Sequence, residues 1–187
     1  MRKLEVQTPT VVLTIGHSTR TLPSFLHLLQ AHGVTRLVDV RRIPRSRHNP
    51  QFNQQTLSDA LHAAGISYQH IAGLGGLRPP RRDSIKQAWR NSSFRGYADY
   101  MQTKEFRENL QLLIDLARRD RVVLMCAEVL PWRCHRWLIA DALSARGLRV
   151  EHIMSEDSCR DHSLSSWARV RGTAVTYPAE PGAEVRP

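Results

Sequence analysis

Residues 124–136 read LMCAEVLPWRCHR: Cys126 and Glu128 follow an apolar run, and Arg133, Cys134, His135 and Arg136 crowd the positions just beyond. These residue types support three chemistries. A thiolate at Cys126 would be a nucleophile, because cations and a helix N-terminus lower a thiol pKa. Arg133, His135, Arg136 and a helix beginning near Pro131 would favour it, whereas Glu128 would oppose it by like-charge repulsion. Cys126, Glu128, Cys134 and His135 are also metal-ligand types, with His17, His152 or His162 as further donors. The C-x7-C-H spacing matches neither a zinc knuckle nor a paired C-x2-C hook, so the sequence assigns no metal and names no cofactor. The third alternative is packing: free cysteine is common at strand ends, and Cys134 and His135 continue the helical face of Leu138, Ile139 and Ala142.

Other candidates lie upstream. Asp39 ends the apolar run RLVDV and is followed by Arg41 and Arg42. A carboxylate there must be paired, as a structural ion pair with Arg41 or as a catalytic acid or base. His17, on the turn GHS, is a proton shuttle near neutral pH or a cap for its loop; Ser18 offers a hydroxyl to an anion, and Gly16 lets the backbone turn. Arg41, Arg42, Arg45, Arg47 and His48, then Arg78, Arg81, Arg82, Arg90 and Arg95, supply cations, and a guanidinium grips phosphate as a bidentate fork. Phe52, Trp89, Phe94, Tyr97 and Tyr100 are interleaved with them and would stack on bases, although Tyr97, Tyr100 and Met101 also suit a helix core. GLGG lacks the spacing and the lysine of a phosphate loop. The catalytic candidates are therefore Cys126, Glu128, His17 and Asp39; the ligand-holding set is Ser18, Arg41, Arg45, Arg133, His135 and Arg136, with Phe52, Trp89 and Tyr97 as stacking surfaces.

These side chains need a scaffold that gathers them. Apolar runs predict strands at 11–15, 36–40, 66–71, 121–126 and 149–154. Between them, 22–32, 56–64, 94–119 and 132–146 read as helices; Thr21 is a cap, and Gly33, Gly65 and Gly147 are stops. Alternating strands and helices predict an α/β fold: a single domain over 1–176, with a mainly parallel sheet of about five strands and helices on both faces. Residues 177–187 read as a loosely ordered tail. In a parallel sheet every loop that follows a strand emerges on one edge, and the polar loops GHSTR, RRIPRSRHNPQF, GLGGLRPPRRDSIKQAWRNSSF and AEVLPWRCHR all follow strands.

A chain of 187 residues can bury one core, and its net charge of +10 points to an anionic partner, a nucleotide or nucleic acid. No run approaches the ~20 apolar residues of a membrane span, and the N-terminus lacks a signal-peptide pattern, so a cytoplasmic protein without a membrane partner is expected. Cys126, Cys134 and Cys159 are too few for a disulfide framework.

The motifs TIGHS (14–18), LVDVR (37–41), PRSRHNPQFN (44–53), LGG (74–76), WRNSSFRGYADYM (89–101), LMCAE (124–128), PWRCHR (131–136) and EHI (151–153) together resemble the domain-of-unknown-function family four-eight-eight, from about Val11 to Val170. The resemblance implies a fold and a motif set but no reaction. A weaker likeness is to rhodanese-type sulfurtransferases, on Asp39-Val40-Arg41 and on the strand that ends in Cys126. The loop departs from the C-x5-R of cysteine phosphatases, since position 132 is Trp and the first arginine is Arg133. The expectation is an enzyme-like domain acting on a phosphate-bearing ligand; the rivals are a non-catalytic nucleic-acid-binding module and sulfur transfer through a Cys126 persulfide.

Overall fold

Runs such as VVLTI and VVLM carry β-branched and apolar side chains at consecutive positions, the pattern of strands covered on both faces. In the computed structural model, which describes residues 10–84, 89 and 91–178, these runs become β1 (Val11–Gly16), β2 (Arg36–Asp39), β3 (Ser67–His70), β4 (Val122–Cys126) and β5 (Arg149–Ile153). They pair in parallel in the order β3-β2-β4-β1-β5. A sixth strand, β6 (Cys159–Asp161), lies antiparallel on β5, and β7 (Arg169–Arg171) pairs with β8 (Ala174–Thr176) as a separate hairpin. The expected parallel core is present. The edge strand β6 carried no apolar signal, because its residues Arg160 and Asp161 face solvent.

Two cores sandwich the sheet. The helices α1 (Leu22–Ala31) and α2 (Gln54–Ala63) bury Phe25, Leu29, Leu57 and Leu61 against Leu13, Ile15, Val123 and Met125. On the other face, α3 (Ser92–Tyr100), α4 (Lys104–Ala117) and α5 (Arg136–Ser144) bury Tyr97, Phe106, Leu113 and Leu138 against Val12, Val38, Val122 and Leu124. Side chains alternate along a strand, so Cys126 shares its face with Val122 and Leu124 and belongs to the α5 side.

Three local expectations need correction. The segment 94–119 is two helices, because Thr103 accepts a hydrogen bond from the Phe106 amide at 3.2 Å and caps a new start. Pro131 opens only a 3₁₀ turn (Pro131–Arg133), and α5 begins at Arg136, so no helix N-terminus forms near Pro131. Tyr177 is buried and its hydroxyl donates to Asp141 Oδ2 at 2.8 Å, so packing continues past the expected tail boundary; residues 179–187 lie outside the described ones. Among the described residues no helix is long and apolar enough to cross a membrane.

Strand order places the site. The chain leaves β1 toward β2 on one side of the sheet and leaves β4 toward β5 on the other, although β1 and β4 are neighbours. The connections diverge there, and in open α/β sheets ligands bind at the carboxyl edge near such a divergence.

Candidate active site

The rims of β1 and β4 are stitched together: the His17 amide donates to the Cys126 carbonyl and the Ser18 amide to the Ala127 carbonyl, each at 2.9 Å. Gly16 makes this approach possible, since a Cβ there would collide with the backbone of Glu128 and Val129. Beside the seam lies a cavity of about 610 Å³ whose walls include Arg41, Arg42, Arg45, Arg133, Glu128 and Phe94, with Cys126, Cys134 and His135 at its floor. Residues that follow each of β1, β2, β3 and β4, among them His17, Arg45, Gly76 and Arg133, thus converge on one edge.

Several predicted residues are present but otherwise engaged. Asp39 is fully buried; Oδ1 accepts from Arg41 Nε at 2.9 Å and from the Arg41 amide at 3.0 Å, and Oδ2 accepts from Arg41 Nη2 at 2.6 Å and Tyr68 Oη at 2.9 Å. Burial, with Asp39 alongside, raises the Tyr68 phenol well above its ordinary value and keeps it a donor. Of Asp39's two open roles the geometry answers for the ion pair. Arg41 also donates to the Phe52 carbonyl at 2.8 Å, so it is a strut rather than a free anion holder. His17 Nδ1 lies 2.8 Å from the Ser18 carbonyl, which can only accept, so the proton sits there and Nε2 faces Arg41 Nη1 at 3.4 Å. Burial, reinforced by Arg41, lowers His17 to about 4, so it is neutral near pH 7.

The expected stacking aromatics are core. Phe52 is fully buried and lies flat under His17 with ring centroids 4.2 Å apart; Trp89 and Tyr97 are buried among Phe94, Trp167, Tyr177 and Phe106. A side chain wedged between rings has no face left for a base. Ser18 does not line the cavity, and Arg78 lies over the Tyr100 ring at 3.7 Å while Arg81 pairs with Asp83. Arg90, expected in the cationic rim, lies outside the described residues. Glu128 is exposed at the cavity wall, its Oε1 accepting from the Leu130 amide at 3.1 Å. Arg45 and Arg133 are exposed, line the cavity, and their guanidinium groups have no partner among the described residues.

Arg136 is the largest surprise. Expected to hold an anion, it is 1% exposed and lies behind the thiols, donating from Nε to Cys134 Sγ at 3.4 Å, from Nη1 to Thr14 Oγ1 at 3.2 Å and from Nη2 to the Glu128 carbonyl. Among the described residues no carboxylate pairs with it directly. A single directed chain carries its hydrogen bonding onward. Thr14 Oγ1 donates to His152 Nδ1 at 2.8 Å, His152 Nε2 to His162 Nδ1 at 3.1 Å, and His162 Nε2 to Asp141 Oδ1 at 2.9 Å. Every donor points from the cation toward the carboxylate, so one assignment of protons satisfies all members.

The two thiols are inequivalent. The hydrogen bond with Cys134 and burial push Cys126 well up, opposing the nucleophile expected there. Burial works against ionising Cys134, but the hydrogen bond from Cys126 and the nearby His135 and Arg136 overcome it and hold that thiol well below its usual value. Thr14 and Asp141 were missing from the predicted site, and Cys134, His152 and His162 entered it only as metal-ligand types; the two histidines are committed to the chain instead. Cys134 was legible as a ligand type in C-x7-C-H, whereas Thr14 and the chain had no spacing signal because their contacts span up to 138 residues.

Among the described residues the group suited to holding a metal is Cys126, Cys134 and His135, whose donor atoms all lie within 4.8 Å of one another. No curated protein and no solved structure matches the chain. Asp39-Val40-Arg41, the arginine-bearing loop after it and the strand ending in Cys126 all fall, with the start of α5, inside residues 21–143, which match the model of Domain of unknown function DUF488, and the chain belongs to that family.

Proposed function

We propose that the protein is an enzyme acting on a phosphate-bearing small ligand of the nucleotide class, held in the cavity beside the β1–β4 seam, over the carboxyl ends of β4 and β2. The observation that carries this reading is the pairing of two unpartnered guanidinium groups, Arg45 and Arg133, with a thiol–imidazole floor in the same cavity. Arg45 and Arg133 grip the phosphate, while Cys126, Cys134 and His135 face the atoms that react. Burial of Phe52, Trp89 and Tyr97 favours a small ligand over a nucleic-acid strand, which needs exposed rings for its bases.

Calorimetric titration with a nucleoside triphosphate, inorganic pyrophosphate and a short single-stranded oligonucleotide tests it. The triphosphate and pyrophosphate compete for one site, and Arg45→Ala and Arg133→Ala each weaken it about tenfold or more, the worth of a charge-assisted hydrogen bond, without altering thermal unfolding. Cys134→Ser retains affinity and removes conversion of a nucleotide mixture followed by mass spectrometry. An oligonucleotide that binds where nucleotides do not, or affinity indifferent to both arginines, overturns the reading in favour of a binding module.

A further inference from the structure

The cavity floor offers two sulfurs and an imidazole, carried on two separate elements of the fold. Cys126 ends the rigid strand β4, while Cys134 and His135 occupy the corner between the 3₁₀ turn and α5. Their donor atoms lie within 4.8 Å of one another. Two thiolates bound to a tetrahedral zinc at about 2.3 Å sit about 3.8 Å apart, so roughly an ångström of side-chain adjustment closes the set.

The histidine is already oriented. Its Nε2 lies 3.1 Å from the Val40 carbonyl, which accepts only, so Nε2 keeps its proton and Nδ1, 3.7 Å from Cys134 Sγ, is the nitrogen a metal would take. Metal-binding histidines are steered by such a bond from the second ring nitrogen. Gly76 packs over the same ring, and a Cβ there would come 2.8 Å from Nδ1, so the ring keeps its place because residue 76 has no side chain. Arg136 Nε, 3.4 Å from Cys134 Sγ, supports a thiolate at that position.

We propose that Cys126, Cys134 and His135 form a binding site for a zinc-class divalent cation, with the fourth coordination position open to the cavity. Two thiolates and an imidazole select a borderline-soft metal over magnesium or calcium. Three protein ligands with an open position is the catalytic rather than the structural arrangement. The thiolates balance the dication, and the buried Arg136 leaves the centre positive, so an anionic oxygen completes it. That oxygen would arrive from the side on which Arg45 and Arg133 stand. The site rests on the nucleotide reading and deepens it, assigning a metal to the same thiol–imidazole floor, while its donors are distinct from the two arginines that grip the phosphate.

The test is uptake of cobalt(II), then zinc(II), by the full chain under a phosphine reductant, with no substrate present. Stoichiometric cobalt produces sulfur-to-metal charge transfer and the intense visible bands of a tetrahedral centre, and zinc bleaches them. Cys134→Ser and His135→Ala lose the bands, Cys159→Ser keeps them, and Gly76→Ala, which retains every donor, weakens cobalt binding at least about tenfold. Zinc raises the unfolding temperature of wild type and leaves that of Cys134→Ser unchanged. A folded, fully reduced wild type that takes up no cobalt overturns the proposal, as do bands that survive in Cys134→Ser or vanish in Cys159→Ser. Pyrophosphate titration of metal-free protein separately reads the two arginines, so either idea can fail alone.

Discussion

Replacing Asp39 distinguishes a strut from a catalyst. Asp39 is fully buried and Arg41 6% exposed. Asp39→Ala leaves the guanidinium with the Phe52 carbonyl at 2.8 Å and the His17 ring at 3.4 Å, and no counter-charge. Removing one partner of a buried pair costs about 3–5 kcal/mol, a large share of the roughly 5–15 kcal/mol that stabilises a typical domain. With a urea dependence of about 2 kcal/mol per molar, the unfolding midpoint falls by about 2 M. Asp39→Asn loses nearly as much, because its amide would turn an N–H toward Arg41. The double variant Asp39→Leu, Arg41→Met recovers most of the loss, since a buried pair exchanged for apolar side chains is often neutral. Equilibrium urea unfolding followed by far-ultraviolet circular dichroism measures all three. An Asp39→Asn variant with an unshifted midpoint and abolished nucleotide conversion would refute the strut and restore the catalytic role.

Further outcomes follow from the same geometry. Gly16→Ala drives a methyl into the Glu128 and Val129 backbone and destabilises the fold by about 3 kcal/mol or prevents folding, read from soluble yield and thermal melting. Tyr177→Phe removes the donor to Asp141 and costs about 2 kcal/mol by urea unfolding, whereas a truly loose tail would register nothing. His152 is lowered to about 3 by burial, then by His162, Arg136 and Arg160, and it packs on Trp137; neutral when folded, it gains a proton only on unfolding below its ordinary 6.5. Its contribution is complete above pH 6.5 and fades as pH falls toward 3, about 2 kcal/mol being lost by pH 5, so His152→Asn should flatten the acid side of the stability profile. An unchanged profile in that variant assigns the acid sensitivity elsewhere.

The parallel sheet was legible because buried strands advertise themselves: VVLTI and VVLM have no polar face, and polar loops follow them. The edge on which chemistry gathers followed from strand direction alone. What could not be read was the direction of individual side chains within a loop. Arg133 and Arg136 are three positions apart and identical in type, yet one is exposed on the cavity wall and the other lies 1% exposed beneath it. Pro131 resembled a helix start, but only a 3₁₀ turn follows, and that turn is what carries Cys134 back over Cys126. Phe52 and Tyr97 misled for a related reason: an aromatic among arginines looks the same in sequence whether it faces a ligand or a core.

The division of arginines also constrains how the protein meets its ligand. Arg41 and Arg136 spend their charges inside, on Asp39 and on the thiol, Thr14 and the Glu128 carbonyl, and they fix the shape of the cavity. Arg45 and Arg133 remain for solution anions. A net charge of +10 therefore overstates the charge available at the site. Affinity for a phosphate-bearing ligand should fall with salt at the shallow slope of about two neutralised charges, while a protein gripping nucleic acid through many phosphates loses affinity far more steeply. A salt titration of pyrophosphate binding reads that slope directly. A steep dependence, as of six or more contacts, would mean that cations beyond the cavity, such as Arg47 and Arg82, take part, and the ligand would then be a polymer running across the rim rather than a small molecule seated within it.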